Sequence, residues 1–203
     1  MKQFRKTLFP LILIASLVAC SGKHSTQQAA NQKAIDMNDK AVSLMIQSKT
    51  DSAILLFNQA IATDPAYYLP HVNKTSIYMQ QKAYNKALAE AELATGKNAG
   101  YAEGWTICGV LNEAIGNPAK AKECYKKGIE VFTQRMNDPE KKENYPVNLL
   151  NRALAKKMAG DSSFTADVDE YRKSEQNLTP IDSLWTKSNE EIIQQFFKID
   201  GMN

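Results

Sequence analysis

The chain has 203 residues, 43% of them hydrophobic, enough apolar material for one domain with a real core or a short stack of repeats, which excludes wholesale disorder. The formal charge of +3 comes from the N-terminus: Lys2, Arg5 and Lys6 precede the first acid, Asp36, and residues 20–203 hold 22 basic and 22 acidic side chains. That balance excludes the electrostatic footprint of a nucleic-acid binder.

In chain order, the basic stretch is followed by an apolar run from Leu8 to Ala19, broken only by Pro10 and Ser16. This is the charged-then-apolar order of a secretory signal. The run is 12 residues long, short of the roughly 20 that a membrane-spanning helix needs. It ends in Leu17-Val18-Ala19-Cys20, which resembles the bacterial lipobox. The resemblance implies a signal peptide over 1–19, cleavage before Cys20, and lipid attached through the Cys20 thiol. Several acyl chains on one residue hold a protein lastingly, whereas a single chain, at about 0.8 kcal/mol per buried methylene, holds it marginally. From Ser21 to Gln28 the sequence is polar and aperiodic, so residues 20–32 read as the lipidated cysteine and a flexible tether. Ser21 resembles the residue found beside the cysteine in lipoproteins sorted to the outer membrane. That resemblance implies a lipid-anchored protein on the outer membrane of a Gram-negative bacterium, facing the periplasm, with the cell surface as the alternative.

Self-similarity at a spacing of 34 residues runs through the centre of the chain. Ala53, Ala87 and Ala121 align, as do Phe57, Ala91 and Tyr125, then Ala60, Ala94 and Gly128; further sets are Ala41, Thr75, Gly109 and Met37, His71, Trp105. Ala53, Phe57 and Ala60 stand at i, i+4 and i+7, one stripe of a helix with about 3.6 residues per turn. Small residues there let two helix axes approach closely, and an aromatic fills the gap between hairpins. Turn signals agree: Asp51 is placed to cap one helix, and Asn117-Pro118 gives a cap followed by proline at the first helical position. The spacing predicts hairpins at about 33–64, 67–98 and 101–136.

The pattern resembles the tetratricopeptide repeat, with a large residue early on the first helix, small residues where the helices touch, and a proline near the end, supplied here by Asp64-Pro65. The resemblance implies an all-α fold, a right-handed α-solenoid of helix-turn-helix hairpins, three of them over 33–136. Lys40 and Lys74 depart from it, standing where the family prefers leucine, so their aliphatic stems are expected to pack. His71 reads as a structural histidine, because the only other one is His24.

Residues 137–145 form a charged linker, and 146–178 a degenerate fourth hairpin turning near Gly160, with Phe164, Val168 and Tyr171 on its second helix. Thr179-Pro180-Ile181-Asp182 is a good helix start. Residues 179–203 are then a C-terminal capping helix carrying Leu184, Trp185, Ile192, Ile193, Phe196 and Phe197, which either covers the open end of the stack or docks on a partner helix.

No Gly-rich phosphate loop, paired metal-ligand spacing or serine elbow occurs, so no catalysis, metal or cofactor is expected. Cys108 and Cys124, 16 apart on one hairpin, read as buried free thiols or as a bridge in an oxidising compartment. In this family the first helices line an inner groove. Shifting the packing stripe Met37, Ala41, Leu44 by one residue, about 100° of helix, gives Asn38, Val42 and Met45 as groove lining; the equivalents are Val72, Ser76, Met79 and Thr106, Val110, Glu113. Such a lining suits an extended peptide or a partner helix. The lysine, arginine and asparagine clamp by which some relatives grip C-terminal carboxylates is matched in kind only by Asn38, since Val72 and Thr106 supply no cation. The expected function is a membrane-tethered scaffold or adaptor that binds a protein or peptide partner, with no nucleic acid. A glycan or small-ligand binder and a structural homo-oligomer are the alternatives.

Overall fold

The structure is a computed structural model that describes residues 30–174, 182–197 and 199. The lipobox-like run, Cys20, residues 21–29 of the tether and Thr179 lie outside the described residues, while Asn31 and Gln32, expected in the tether, cap and begin the first helix. Among the described residues the fold is all-α, an α-solenoid of consecutive helical hairpins: α1 (Gln32–Ile46), α2 (Thr50–Thr63), α3 (Leu69–Gln80), α4 (Tyr84–Lys97), α5 (Ala102–Ala114), α6 (Pro118–Met136), α7 (Tyr145–Met158) and α8 (Phe164–Ser174). A 3-10 turn over Pro139–Asn144 leads into α7. A second, Asp182–Leu184, precedes α9 (Asn189–Phe197). Each of α1 to α7 packs on the next helix in sequence, and α1 also touches α3, which is the neighbour pattern of a stack.

The aligned small residues are where the helices meet. Ala53, Phe57 and Ala60 of α2 are buried, as are Ala87, Ala91 and Ala94 of α4 and Ala121, Tyr125 and Gly128 of α6. Burying a side chain such as Phe57 contributes roughly 2–3 kcal/mol; the equivalent Ala91 of the second hairpin, a smaller side chain, contributes less. The third hairpin is the tightest. A Cβ on Gly109 would stand 2.2 Å from Cε1 of Tyr125, so the tyrosine ring lies where the first two repeats carry the side chains of Ala41 and Thr75.

The turns inside the first three hairpins share a device that the sequence reading missed. Ser48, Lys82 and Gly116, again 34 apart, all have positive φ, at 59°, 57° and 80°. That left-handed residue reverses the chain after the first helix. Two capping expectations are corrected. The N-cap of α2 is Lys49, with Asp51 inside the first turn, where its charge faces the helix dipole; Asn117 is the N-cap of α6, but its side chain makes no capping bond, leaving Pro118 as the start signal.

The fourth hairpin carries a buried ion cluster that also reaches the third. Asp167, 3% exposed, receives Arg152 in a two-pronged pair (Nε 2.8 Å, Nη2 2.9 Å) and Lys156 Nζ at 2.9 Å, while Arg152 Nη1 reaches Thr133 Oγ1 on α6 at 3.2 Å. The buried carboxylate is thereby compensated, and the same guanidinium ties α6, α7 and α8 together.

Candidate functional site: the first-helix face

The nine residues expected to line the groove do not present one uniform surface. On α1, Val42 and Met45 are half-buried, while Asn38 is buried and accepts a bond from Asn73 Nδ2 at 2.9 Å, so it joins α1 to α3. On α3, Val72 and Met79 are half-buried and Ser76 is exposed. At the last turn of α1, Ile46 is 77% exposed, the most exposed large apolar side chain among the described residues. On α5 the equivalents differ: Thr106 and Val110 are buried, Val110 completely, and Glu113 is half-buried.

The C-terminal segment accounts for the difference. Leu184, Ile192, Ile193 and Ile199 belong to the same buried cluster as Val110, Leu111, Leu154 and Met158, with Met79 packed against it. Asn189 Nδ2 donates to Glu113 Oε1 at 3.0 Å and to the Met158 carbonyl at 2.8 Å, which seats the start of α9 between the C-terminal ends of α5 and α7. Trp185 stacks on Phe164 of α8, ring centroids 5.8 Å apart. The segment expected to close the open end of the array thus also occupies the first-helix face of the third hairpin. Its helix starts later than Thr179 suggested: Ser188 and Glu191 form a reciprocal capping box, Ser188 N donating to Glu191 Oε2 at 2.8 Å and Glu191 N to Ser188 Oγ at 3.2 Å. Ser188-Asn189-Glu190-Glu191 carries that signal in the sequence.

Burial pushes the carboxyl of Glu113 above the usual carboxylate range, against the opposing bond from Asn189. The buried centre of the second hairpin behaves otherwise. Glu90 on α4 receives His71 Nδ1 at 2.7 Å and Lys74 Nζ at 2.5 Å. Burial there acts to raise its pKa, but these two partners outweigh it and hold the carboxyl below its ordinary value. The ammonium of Lys74, in the leucine slot, is therefore committed to an interhelical pair and is not free for a ligand. The Glu103 carboxylate is likewise held, by Arg135 Nη1 at 2.7 Å.

No protein-family model matches the chain. Over 86 residues it is 33% identical to a heat-shock protein cognate co-chaperone of Aspergillus fumigatus, an alignment covering 42% of this chain and 25% of that protein. It is 25% identical over 139 residues to the small glutamine-rich tetratricopeptide repeat-containing protein 2 of Saccharomyces cerevisiae (68% and 40%), and 24% identical over 144 residues to RNA polymerase II-associated protein 3 of Xenopus laevis (70% and 22%). The chain matches 22% to 40% of the length of these relatives. None of the three is named as an enzyme. Among solved structures, the first tetratricopeptide domain of Spaghetti bound to an HSP90 peptide aligns with TM-score 0.47 at 25% identity, over 61% of this chain and 94% of that one. The Sgt2 tetratricopeptide domain of Aspergillus fumigatus aligns with TM-score 0.47 at 23% identity, over 66% and 86%.

These relatives correct the expected location. They come from fungi and a frog, organisms that have no Gram-negative envelope, and they carry the names of co-chaperones and of a polymerase-associated protein. They point away from a lipid-anchored protein facing the periplasm or displayed on a bacterial surface. The lipobox resemblance rested on a short run of residues near the N-terminus, whereas these alignments rest on 86 to 144 residues. The 34-residue period, the stacked hairpins and the alignment to a protein named for these repeats support the tetratricopeptide-repeat family for this chain.

Proposed function

We propose that the chain is a non-enzymatic adaptor that binds an apolar segment of a protein partner, as an extended peptide or a short helix, along the first-helix face of its first two hairpins. The carrying observation is the difference between equivalent positions: Val42, Met45, Val72 and Met79 remain partly accessible and Ile46 protrudes, while Val110 is sealed. Methionines suit such a face, because an unbranched thioether adapts to irregular partners. The side chains stand on packed helices, so little ordering cost falls on this side of the complex.

One relative is named as a co-chaperone, and a protein-binding role is in keeping with that name. The chemistry of the captured segment is apolar: Val72 and Thr106 offer no cation, and Lys74 is spent on Glu90. An acidic tail would find few charged partners here.

Fluorescence polarisation with two peptide sets, amphipathic apolar and acidic C-terminal, tests this. The apolar set is expected to bind more tightly, and Val72→Asp to weaken it at least about tenfold, since a carboxylate would be desolvated in the contact. Equal affinity for both sets, or binding indifferent to Val72→Asp, would overturn the reading.

A further inference from the structure

The peptide-binding reading leaves unused two sulfur atoms at the centre of the third hairpin. Cys108 on α5 is completely buried and Cys124 on α6 is half-buried, and both are free thiols. Their helices are pressed together at this level: the next residue after each cysteine is Gly109 and Tyr125, the pair whose contact leaves no room for a Cβ. A single amide touches both residues. Asn112 Nδ2 donates to the Cys108 carbonyl at 2.8 Å and lies 3.9 Å from Cys124 Sγ.

The two thiols also act on each other. That interaction, with burial, pushes the Cys108 thiol far up; the same interaction, aided by the charge of Lys127, holds Cys124 below the usual thiol range. Cys124 is thus the more exposed sulfur and the readier to ionise, with Cys108 as the proton-bearing neighbour behind it. This is the division of labour between an attacking and a resolving cysteine.

We propose that Cys108 and Cys124 are an oxidisable dithiol, a modification site that a low-molecular-weight disulfide converts into an intrachain bridge between α5 and α6. The Cys124 thiolate attacks one sulfur of the oxidant, forming a mixed disulfide and expelling one thiolate. Cys108 then loses its proton to that thiolate and attacks Cys124 Sγ, forming the S–S bond and expelling the second thiolate, which takes a proton from solvent. Two protein thiols are oxidised, and one small disulfide is reduced to two thiols. The bridge forms at the base of the stripe that includes Val110, where α9 is seated, so it fixes the sealed part of the first-helix face and leaves α1 and α3 untouched.

The test uses the full chain carrying Cys20→Ser, which leaves only this pair, equilibrated with glutathione disulfide and then alkylated and weighed. The expected product has lost two hydrogens and yields one proteolytic fragment joining Cys108 to Cys124. The additional change Cys108→Ser should trap a glutathione adduct on Cys124, and Cys124→Ser should react at least tenfold more slowly. A bridge closing a loop of this length in native geometry should raise the melting temperature by roughly 5–10 °C. A persistent glutathione adduct in the chain with both cysteines, two thiols that stay alkylatable, or a bridged chain that melts lower than the reduced one would each overturn the proposal. None of these readouts involves a peptide, so this inference and the peptide-binding reading fail separately.

Discussion

The second and third hairpins are built on the same repeat, yet they offer their first helices differently. On α3 the stripe Val72, Ser76, Met79 is half-buried to exposed; on α5 the stripe Thr106, Val110, Glu113 is buried or bonded. Both helices lie inside the stack, so position in the array does not explain the contrast. What differs is a segment far away in sequence. Asn189, Ile192 and Ile193 close the face of α5, and the hairpin beneath is tightened by a tyrosine against a glycine where the second repeat has Ala91 and Thr75. A repeat therefore sets where a face lies, and the non-repeated part decides whether it is available.

The tightness of the third hairpin is the most breakable part of this contrast. Gly109→Ala places a methyl 2.2 Å from the buried ring of Tyr125, which has nowhere to retreat. The expected loss is about 3 kcal/mol or more, from overpacking in a core with no slack. Chemical unfolding measures it, and adding Tyr125→Leu should recover part of the loss, because it removes the obstructing ring. A near-neutral Gly109→Ala would show that the third hairpin is no tighter than the first, where alanine is native.

Next in size is the seat of α9. Ile193 is completely buried against α5 and α7, so Ile193→Ala should cost about 2 kcal/mol or somewhat more in the closed region. Hydrogen exchange should show protection falling in α9 and the last turn of α5 and staying level in α1 and α3. Uniform loss across all hairpins would mean that the C-terminal segment supports the whole stack and does not merely cover one face.

The stack was legible from sequence because helix crossings demand small residues at fixed intervals, and Ala53, Ala87 and Ala121 report that demand directly. The nine candidate positions were legible as a helix face for the same reason, one residue round from the packing stripe. Their exposure was not. Asn189 meets Glu113 across 76 residues, and a single contact at that separation leaves no periodic trace. The turns were missed for a different reason: Ser48 and Lys82 adopt positive φ without being glycine, so the repeat of that conformation is invisible in residue types. The pairing of Lys74 with Glu90 was half visible, since a lysine in a leucine slot needs a partner, but which acid supplies it depends on how α3 and α4 are rotated against each other.

The smallest expected effect is also the most selective for the closed half. Glu113 accepts from Asn189, and burial raises its carboxyl. A group whose pKa is higher in the folded state stabilises that state below its unfolded pKa and loses the contribution as pH rises through the folded value. At neutral pH the ionised Glu113 is therefore a small burden on the closed face. Glu113→Gln keeps an oxygen for Asn189 and removes the charge, so it should stabilise the chain at pH 7 by about 0.5 kcal/mol or less, the carboxylate being only half-buried and screened by water. In acid below the ordinary carboxylate range the two chains should melt alike. The equivalent positions on α1 and α3 are Met45 and Met79, which do not titrate, so this pH dependence belongs to the face that α9 covers. If Glu113→Gln instead destabilises the chain at pH 7 and the deficit disappears in acid, the charge is favourable where it stands, and Asn189 holds α9 by an ionic contact that the buried carboxyl was not expected to provide.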